Sequence, residues 1–214
     1  MTKQEKKSIL LTTLLCLCPM IIGIILLPKL PDQIAIHFNV HNEPDGFASK
    51  QFFVFFFPIF IAILHLICVG SMQLDDNKEA NKKMHQITQW IFPIISIVMY
   101  TMTILYALKY PIDFRVIAMM ILGVMLIVLG NYLPKTKNTK YHFGFHIGFS
   151  RDLDDKSYKK LARICGYMFI FDGFLMIVTT LFNPIYSIIA VILLLIQAIG
   201  LTIYTIRKTY EKKN

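Results

Sequence analysis

Six apolar segments dominate this chain, and each is about as long as a helix that crosses a lipid bilayer. A helical span requires roughly 20 mostly apolar residues to cross the ~30 Å hydrocarbon layer. The rest of the 214 residues offers no stretch that could form a soluble core. The sequence therefore predicts an all-α membrane protein with six transmembrane helices, at residues 8–27, 51–72, 90–109, 116–133, 161–181 and 184–206.

Composition supports this class. Apolar residues make up 56% of the chain and charged residues 16%, whereas a soluble domain carries about 25% charged residues. The net charge of +9 does not indicate nucleic-acid binding, because the charges lie in the connections between the apolar segments. The length suits one membrane domain, and we expect membrane lipid but no nucleic acid among its partners.

The basic residues predict which way the chain is inserted. Because the number of spans is even, both termini share one side, and that side would hold 18 of the 22 lysines and arginines. Basic residues near the ends of spans are retained in the cytoplasm during insertion. We therefore expect both termini in the cytoplasm, with four basic residues outside: Lys29, Lys50, Lys109 and Arg115.

The first apolar segment follows Lys3, Lys6 and Lys7, as the apolar part of a secretory signal peptide would. It is longer than that part usually is, and it ends at Pro28 and Pro31 without the small residues of a cleavage site. We interpret it as a retained transmembrane helix. The chain then divides into a two-helix section at 1–72, a linker and third helix at 73–115, and a three-helix module at 116–214.

Glycine spacing predicts one helix contact. Gly123 and Gly130 in the fourth span, and Gly166 and Gly173 in the fifth, are each seven residues apart. Two helical turns place each pair on one face, and small residues allow helix backbones to approach closely in lipid. We expect the fourth and fifth spans to pack against each other.

Asp172 is the only carboxylate inside the predicted spans. A charge at the bilayer centre costs at least ~2.5–3.5 kcal/mol on insertion scales, so the side chain would face protein or water. Two interpretations stay open: a proton or ligand site, or a neutral carboxyl that hydrogen-bonds a neighbouring helix. His65 and Gln197 are expected to form hydrogen bonds between helices.

The predicted outer loop, residues 29–50, has the pattern of a folded element. Side chains alternate in character along 34–41, which predicts a half-buried strand. Residues 42–46, Asn-Glu-Pro-Asp-Gly, predict a tight turn. The two faces of the strand would carry Ile34, Ile36, Phe38 and Val40 on the apolar side, and Ala35, His37, Asn39 and His41 on the other.

The predicted inner loop, residues 134–160, shows a second alternation at 141–149. Gly144 and Gly148 lie at alternate positions, which leaves one face of this predicted strand bare for packing. The acids at 152–155 predict the beginning of a helix that continues through Arg163 into the fifth span. The positive charge of this inner loop is explained by a cytoplasmic location and by attraction to anionic lipid, without a protein partner.

Metal binding and catalysis have little support. The pairs His37/His41 and His142/His146 have a four-residue spacing, but in a strand these positions are roughly 13 Å apart and do not share a metal ion. The patterns of zinc proteases, nucleophilic triads, dinucleotide sites and phosphate loops are missing from the sequence. We expect no enzyme activity, no cofactor and no metal.

The two loops resemble a known family. Residues 30–39 (LPDQIAIHFN) and 43–50 (EPDGFASK) are similar to the outer-loop motif of a small bacterial membrane domain that is commonly fused to the SdpI immunity module. Residues 130–135 (GNYLPK) and 143–148 (FGFHIG) resemble the signature of the SdpI module itself. The resemblance covers nearly the whole chain, in the expected order.

This resemblance implies a multi-pass protein of the bacterial cytoplasmic membrane that protects the cell from a membrane-active peptide toxin. It also implies signalling, in which a small transcriptional repressor is held at the membrane. Toxin binding would fall to His37, Asn39, Asp45 and Lys50 in the outer loop. Repressor binding would fall to Asn131, Pro134, Lys135, Gly144, Gly148 and Arg163 on the inner side.

Two other classes of function compete with immunity. A small transporter or exporter would use Asp172 as a polar site at mid-depth, although the sequence shows no internal repeat. An intramembrane enzyme would pair His65 with Asp172 and would still need a nucleophile. We expect immunity and sensing, with the transporter as the alternative.

Overall fold

The computed structural model describes residues 1–139 and 153–213. In this part of the chain, seven α-helices accompany one two-stranded sheet. The elements in chain order are α1 (Lys3–Leu17), α2 (Pro19–Leu26), β1 (Gln33–Phe38), β2 (Pro44–Ser49), α3 (Lys50–Met72), α4 (Lys78–Ala107), α5 (Phe114–Tyr132), α6 (Asp155–Phe182) and α7 (Ser187–Lys213).

The six predicted spans are confirmed among the described residues as helical segments long and apolar enough to cross a membrane. The first span comprises two helices, since Pro19 begins α2 and has no backbone N–H to continue α1. Asn183 begins the last span by accepting a hydrogen bond from the backbone N–H of Ile185. The segments cover Lys3–Lys29, Lys50–Met72, Lys78–Ala107, Phe114–Lys135, Asp155–Phe182 and Pro184–Lys208.

The described residues fall into two compact units. The first comprises Met1–Val69 with Thr88–Ile117, and the second comprises Gly70–Ile87 with the chain from Ala118 onward. In the first unit, an apolar cluster seats β1 on α3 and α4. Its buried members are Leu30, Ile34, Phe53, Val54, Tyr100 and Ile104.

Close backbone contact joins α5 and α6 in the second unit. A Cβ on Gly130 would lie 2.6 Å from the carbonyl oxygen of Gly166, and a Cβ on Gly173 would lie 2.5 Å from that of Gly123. No residue with a side chain fits at these crossings. The helix contact predicted from the glycine spacing is therefore confirmed.

Two sets of hydrogen bonds link loops that are separated by two helices. In the first unit, Asn42 bonds the backbone of Ile112 and Phe114. In the second unit, Asn77 bonds the backbone of Asn138.

The inner-loop strand predicted at 141–149, with Gly144 and Gly148, lies outside the described residues. The helix predicted to follow it is α6. Asp154 caps that helix by accepting from the backbone N–H of Ser157. Hydrogen bonds from the side chain and the backbone of Ser157 hold the pKa of the Asp154 carboxyl below its ordinary value.

Candidate functional site

The hairpin of β1 and β2, residues 33–49, is the folded element between the first two spans. Gln33 lies opposite Ser49 and Phe38 lies opposite Pro44, in an antiparallel pair. The strand predicted in this loop is confirmed as β1, whereas β2 was not predicted. The turn predicted at 42–46 is wrong in position, because Pro44 and Asp45 already belong to β2.

The alternation of faces predicted for residues 34–41 is also wrong in part. Ile34 and Ala35 are both buried, while Ile36 and Val40, assigned to the apolar face, are 49% and 56% exposed. The pairing is irregular between Ala35 and His37, and an irregularity of this kind re-aims the side chains that follow it. Ile36, Val40 and Phe47 therefore point apolar atoms away from the core.

His37 and Asp45 meet across the two strands. Nδ1 of His37 contacts Oδ1 of Asp45 in a hydrogen-bonded pair, and the two side chains are 72% and 44% exposed. Gly46 lies opposite His37, and a Cβ there would come within 2.8 Å of the His37 Cβ. Glycine at this position leaves the space that the histidine occupies.

The side chain of Asn39 forms its hydrogen bonds within the turn. Its side-chain oxygen accepts from the backbone N–H groups of His41 and Glu43, at 2.9 and 3.0 Å, and its amide nitrogen donates to Glu43 Oε2 at 3.0 Å. Three bonds within five residues hold the turn in one conformation. Asn39 thus shapes the hairpin, and its side chain is occupied there.

Lys50 closes the base of the hairpin. Its Nζ lies 2.9 Å from Asp32 Oδ1 and 3.4 Å from the carbonyl oxygen of Leu30, and its side chain is 19% exposed. The backbone N–H of Lys50 also donates to the carbonyl of Asp32. Among the four predicted toxin-binding residues, His37 and Asp45 are exposed together, while Asn39 and Lys50 support the hairpin from within.

Sequence reasoning missed the clamp that holds the turn. Asn42 has a left-handed backbone (φ 63°), donates to Ile112 O at 2.9 Å and accepts from the Phe114 N–H at 2.9 Å. Arg115 donates to Val40 O at 3.1 Å. These contacts join residues about 70 positions apart, so no local pattern signals them.

Arg115 is itself oriented by Asp113. Its Nε and Nη2 atoms donate to the two carboxylate oxygens at 3.0 and 2.7 Å, a bidentate arrangement. The hydrogen bonds from Arg115 hold the pKa of the Asp113 carboxyl below its ordinary value. Asp113 is therefore ionised near neutral pH, and the guanidinium stays aimed at the turn.

A buried polar hub in the second unit was also missed. The Asp75 side chain is 1% exposed and accepts from the Asn77 backbone N–H at 2.8 Å and from Asn81 Nδ2 at 2.9 Å. His85 Nε2 lies 2.8 Å from the same carboxylate. Asn77, Asn81 and His85 are four residues apart in succession, a polar stripe that signals such a hub in the sequence.

The hub fixes the segment that follows α5. Asn81 donates to the carbonyl of Lys137 at 3.1 Å and accepts from its N–H at 2.7 Å. Thr136 bonds the hydroxyl of Tyr158 at 2.8 Å, which ties the same segment to α6. The described end of the inner loop is therefore held by side chains from α4 and α6.

The predicted inner-face residues have different surroundings. Asn131, Lys135 and Arg163 are exposed. The Lys135 ammonium lies 4.5 Å from the centre of the Tyr132 ring. Pro134 is half-buried, and its ring lies 2.7 Å from where a Cβ on Gly166 would be.

Polar side chains inside the spans form two interhelical sets, as expected for His65 and Gln197. His65 Nε2 lies 3.0 Å from Thr12 Oγ1, which also accepts from Gln89 at 2.9 Å. In the other unit, Gln197 Nε2 donates to Asp172 Oδ1 at 3.2 Å. Within the described ranges, no group of three or more His, Cys, Asp or Glu residues could hold a metal ion.

Comparison with known proteins gives one finding. A family model described as a domain of unknown function, DUF1648, matches residues 14–62. The matched stretch includes α2, the whole hairpin and the first half of α3. No curated protein and no solved structure matches the chain.

Proposed function

We propose that this multi-pass protein is an immunity and sensing protein of the bacterial cytoplasmic membrane, and that it binds a membrane-active peptide toxin through the hairpin. The observation that carries the proposal is the exposed side of the hairpin, an ordered surface between two spans that presents apolar and acidic groups together. The resemblance of the loop sequences to the SdpI family supports the same class.

The chemistry of the hairpin suits such a peptide. Membrane-active peptides are commonly amphipathic, with a basic face and an apolar face. Ile36 and Phe47 offer exposed apolar surface, while Glu43 and Asp45 offer carboxylates beside it. Because Asn39 and Asn42 already hold the turn, little conformational entropy is lost when a peptide binds.

Orientation follows from the charge distribution. We place the hairpin outside and the hub around Asp75 inside, since the side opposite the hairpin holds 18 of the 22 basic residues. Inside, the exposed Lys135 and Arg163 would contact a small repressor. Binding alone explains both roles, so we propose no catalysis.

The test is survival of a sensitive bacterial strain that lacks its own immunity gene. The strain expresses the chain and is challenged with a panel of membrane-active peptide toxins, the SdpC type included. We expect selective protection by the wild-type chain. Replacing Ile36 and Phe47 together by serine should abolish it, because the exposed apolar surface is lost while the bonds of the hairpin remain.

The matched control is Leu74→Ser. Leu74 is 65% exposed in the connection after α3, on the side that we place inside. Protection should survive this substitution at equal amounts of protein in the membrane. Protection by the Ile36→Ser/Phe47→Ser variant, or no protection by the wild type against any peptide, would contradict the proposal.

A small transporter is the second candidate, and the observation that favours it is the buried carboxyl of Asp172. The side chain is 0% exposed at mid-span, with Oδ2 left without a hydrogen-bond partner. Intramembrane carboxyls often mark ion or substrate paths. Loss of protection in Asp172→Asn, at normal expression, would favour the transporter hypothesis over toxin binding at the hairpin.

A further inference from the structure

Two buried oxygens face the α6–α7 contact without a hydrogen-bond partner. Gln197 Nε2 donates to Oδ1 of Asp172 at 3.2 Å, while Oδ2 of Asp172 and Oε1 of Gln197 remain unpaired and buried. Buried polar atoms are paired in the great majority of cases. This pair of exceptions therefore calls for a physical explanation.

Both unpaired atoms are acceptors, so neither can donate a hydrogen bond to the other. An ionised carboxylate has no donor, and the amide oxygen of glutamine has none either. A proton on Oδ2 of Asp172 turns that atom into a donor, which Gln197 Oε1 can accept. One proton thereby completes a reciprocal acid–amide pair with two hydrogen bonds.

Within the membrane-spanning parts of the described helices α5, α6 and α7, no charged side chain is present to stabilise a carboxylate at Asp172. Between Arg163 and the end of α6, Asp172 is the only Asp, Glu, Lys, Arg or His, and α5 has none from 116 to 132. On α7, none occurs before Arg207. The other titratable side chains on these stretches are Tyr132, Cys165, Tyr167 and Tyr204, which are neutral near neutral pH.

The structure points to a proton-binding site: we propose that the folded protein holds a proton on Asp172 Oδ2, shared with Gln197, and that this proton keeps α7 docked on α6. An O–H bond forms on Oδ2 with a proton taken from water. When it is released, the carboxylate faces the amide oxygen of Gln197, and the two repel each other.

Among the six described spans, that of α7 has the smallest buried share, so its docking on α6 should be sensitive to this proton. In an apolar window of 18 residues, the buried share is 11% for this span and 22–33% for the other five spans. The apolar contact near the pair is a cluster of Leu126, Met176 and Ala190, against which five partly buried apolar side chains also pack. This inference does not depend on the immunity proposal.

Infrared spectroscopy of the full-length protein in lipid nanodiscs tests protonation directly. The difference between wild type and Asp172→Asn at neutral pH should contain the carbonyl stretch of a protonated carboxyl. That band should shift in Gln197→Leu, which removes the hydrogen-bonding partner. A difference spectrum with carboxylate bands alone would overturn the proposal.

The pH dependence of thermal unfolding tests the role in docking. In Asp172→Asn, the new amide donates to Gln197 Oε1 and accepts from its Nε2, so the pair is complete without a proton. The wild type retains a proton that the unfolded chain releases, and its stability therefore falls as pH rises. The Tm of the wild type should drop below that of Asp172→Asn between neutral and alkaline pH. Parallel Tm curves for the two proteins would refute the proposal.

Discussion

At the scale of single residues, Asn42 holds the turn of the hairpin against the segment that precedes α5. Its side chain bonds two backbone groups near the beginning of α5, and its backbone adopts the left-handed conformation that asparagine and glycine tolerate best. The exposed surface of the hairpin therefore depends on a residue that does not belong to that surface.

Asn42→Gly and Asn42→Ala separate these two contributions. Glycine keeps the backbone conformation but loses both hydrogen bonds, which should destabilise the hairpin by about 1–2 kcal/mol. Alanine should add about 1 kcal/mol of backbone strain. Hydrogen exchange of the hairpin amides measures both, and equal protection in the two variants would show that the left-handed conformation is unstrained.

Asn81 has a comparable role in the other unit, because its side chain bonds the backbone of the distant residue Lys137. Asn81→Leu removes its bonds to Lys137 and Asp75, and it should destabilise the 136–139 segment by about 2–3 kcal/mol since a buried carboxylate loses a donor. Tryptic cleavage after Lys137 should then become several-fold faster. Glu79→Gln is the control, because Glu79 is 82% exposed and its ion pair with Lys82 spans 3.8 Å. An unchanged rate in Asn81→Leu would mean that α6 alone holds the segment.

At the scale of elements, the contact between α5 and α6 depends on the absence of side chains at four glycines. The α5–α6 crossing brings backbone against backbone at two levels, where dispersion between close surfaces replaces the hydrophobic effect. A methyl group at either level must separate the helices.

Glycine substitutions provide a matched pair on this point. Gly130→Ala places a Cβ 2.6 Å from the carbonyl oxygen of Gly166, and overpacking of this kind costs about 1–3 kcal/mol. Gly200→Ala meets no atom within 4 Å and should stabilise α7 by roughly 0.5–1 kcal/mol. The Tm of the purified protein should fall for Gly130→Ala and hold or rise for Gly200→Ala. A similar Tm change for both would show that α5 and α6 adjust freely.

At the scale of the whole molecule, the sequence predicted the features that the lipid environment imposes, namely the spans and one helix contact. Apolar length reports the bilayer thickness, and glycine periodicity reports a helix face, so the spans and one of their contacts followed from local patterns. The hairpin was predicted as a strand and a turn, but β2 and the irregularity beside His37 depend on cross-strand pairing. The contacts of Asn42 with Ile112 and Phe114, and those of Asn81 with Lys137, join distant segments, so no local pattern predicts them. The contacts of Asp75 lie within ten residues, and the four-residue spacing from Asn77 to His85 indicates them.

Orientation is the property of the whole molecule on which the proposed function depends. The native cysteines are first replaced by alanine, and one cysteine is then placed at His41 or at Glu79, both exposed. A membrane-impermeant thiol reagent applied to intact cells should label position 41 at once and position 79 only after permeabilisation, because positively charged connections stay in the cytoplasm. The reverse labelling would put the hairpin inside the cell, where it could not meet a toxin from outside. The immunity proposal would then fail, whereas the contacts within each unit and the proton site at Asp172 would be unaffected.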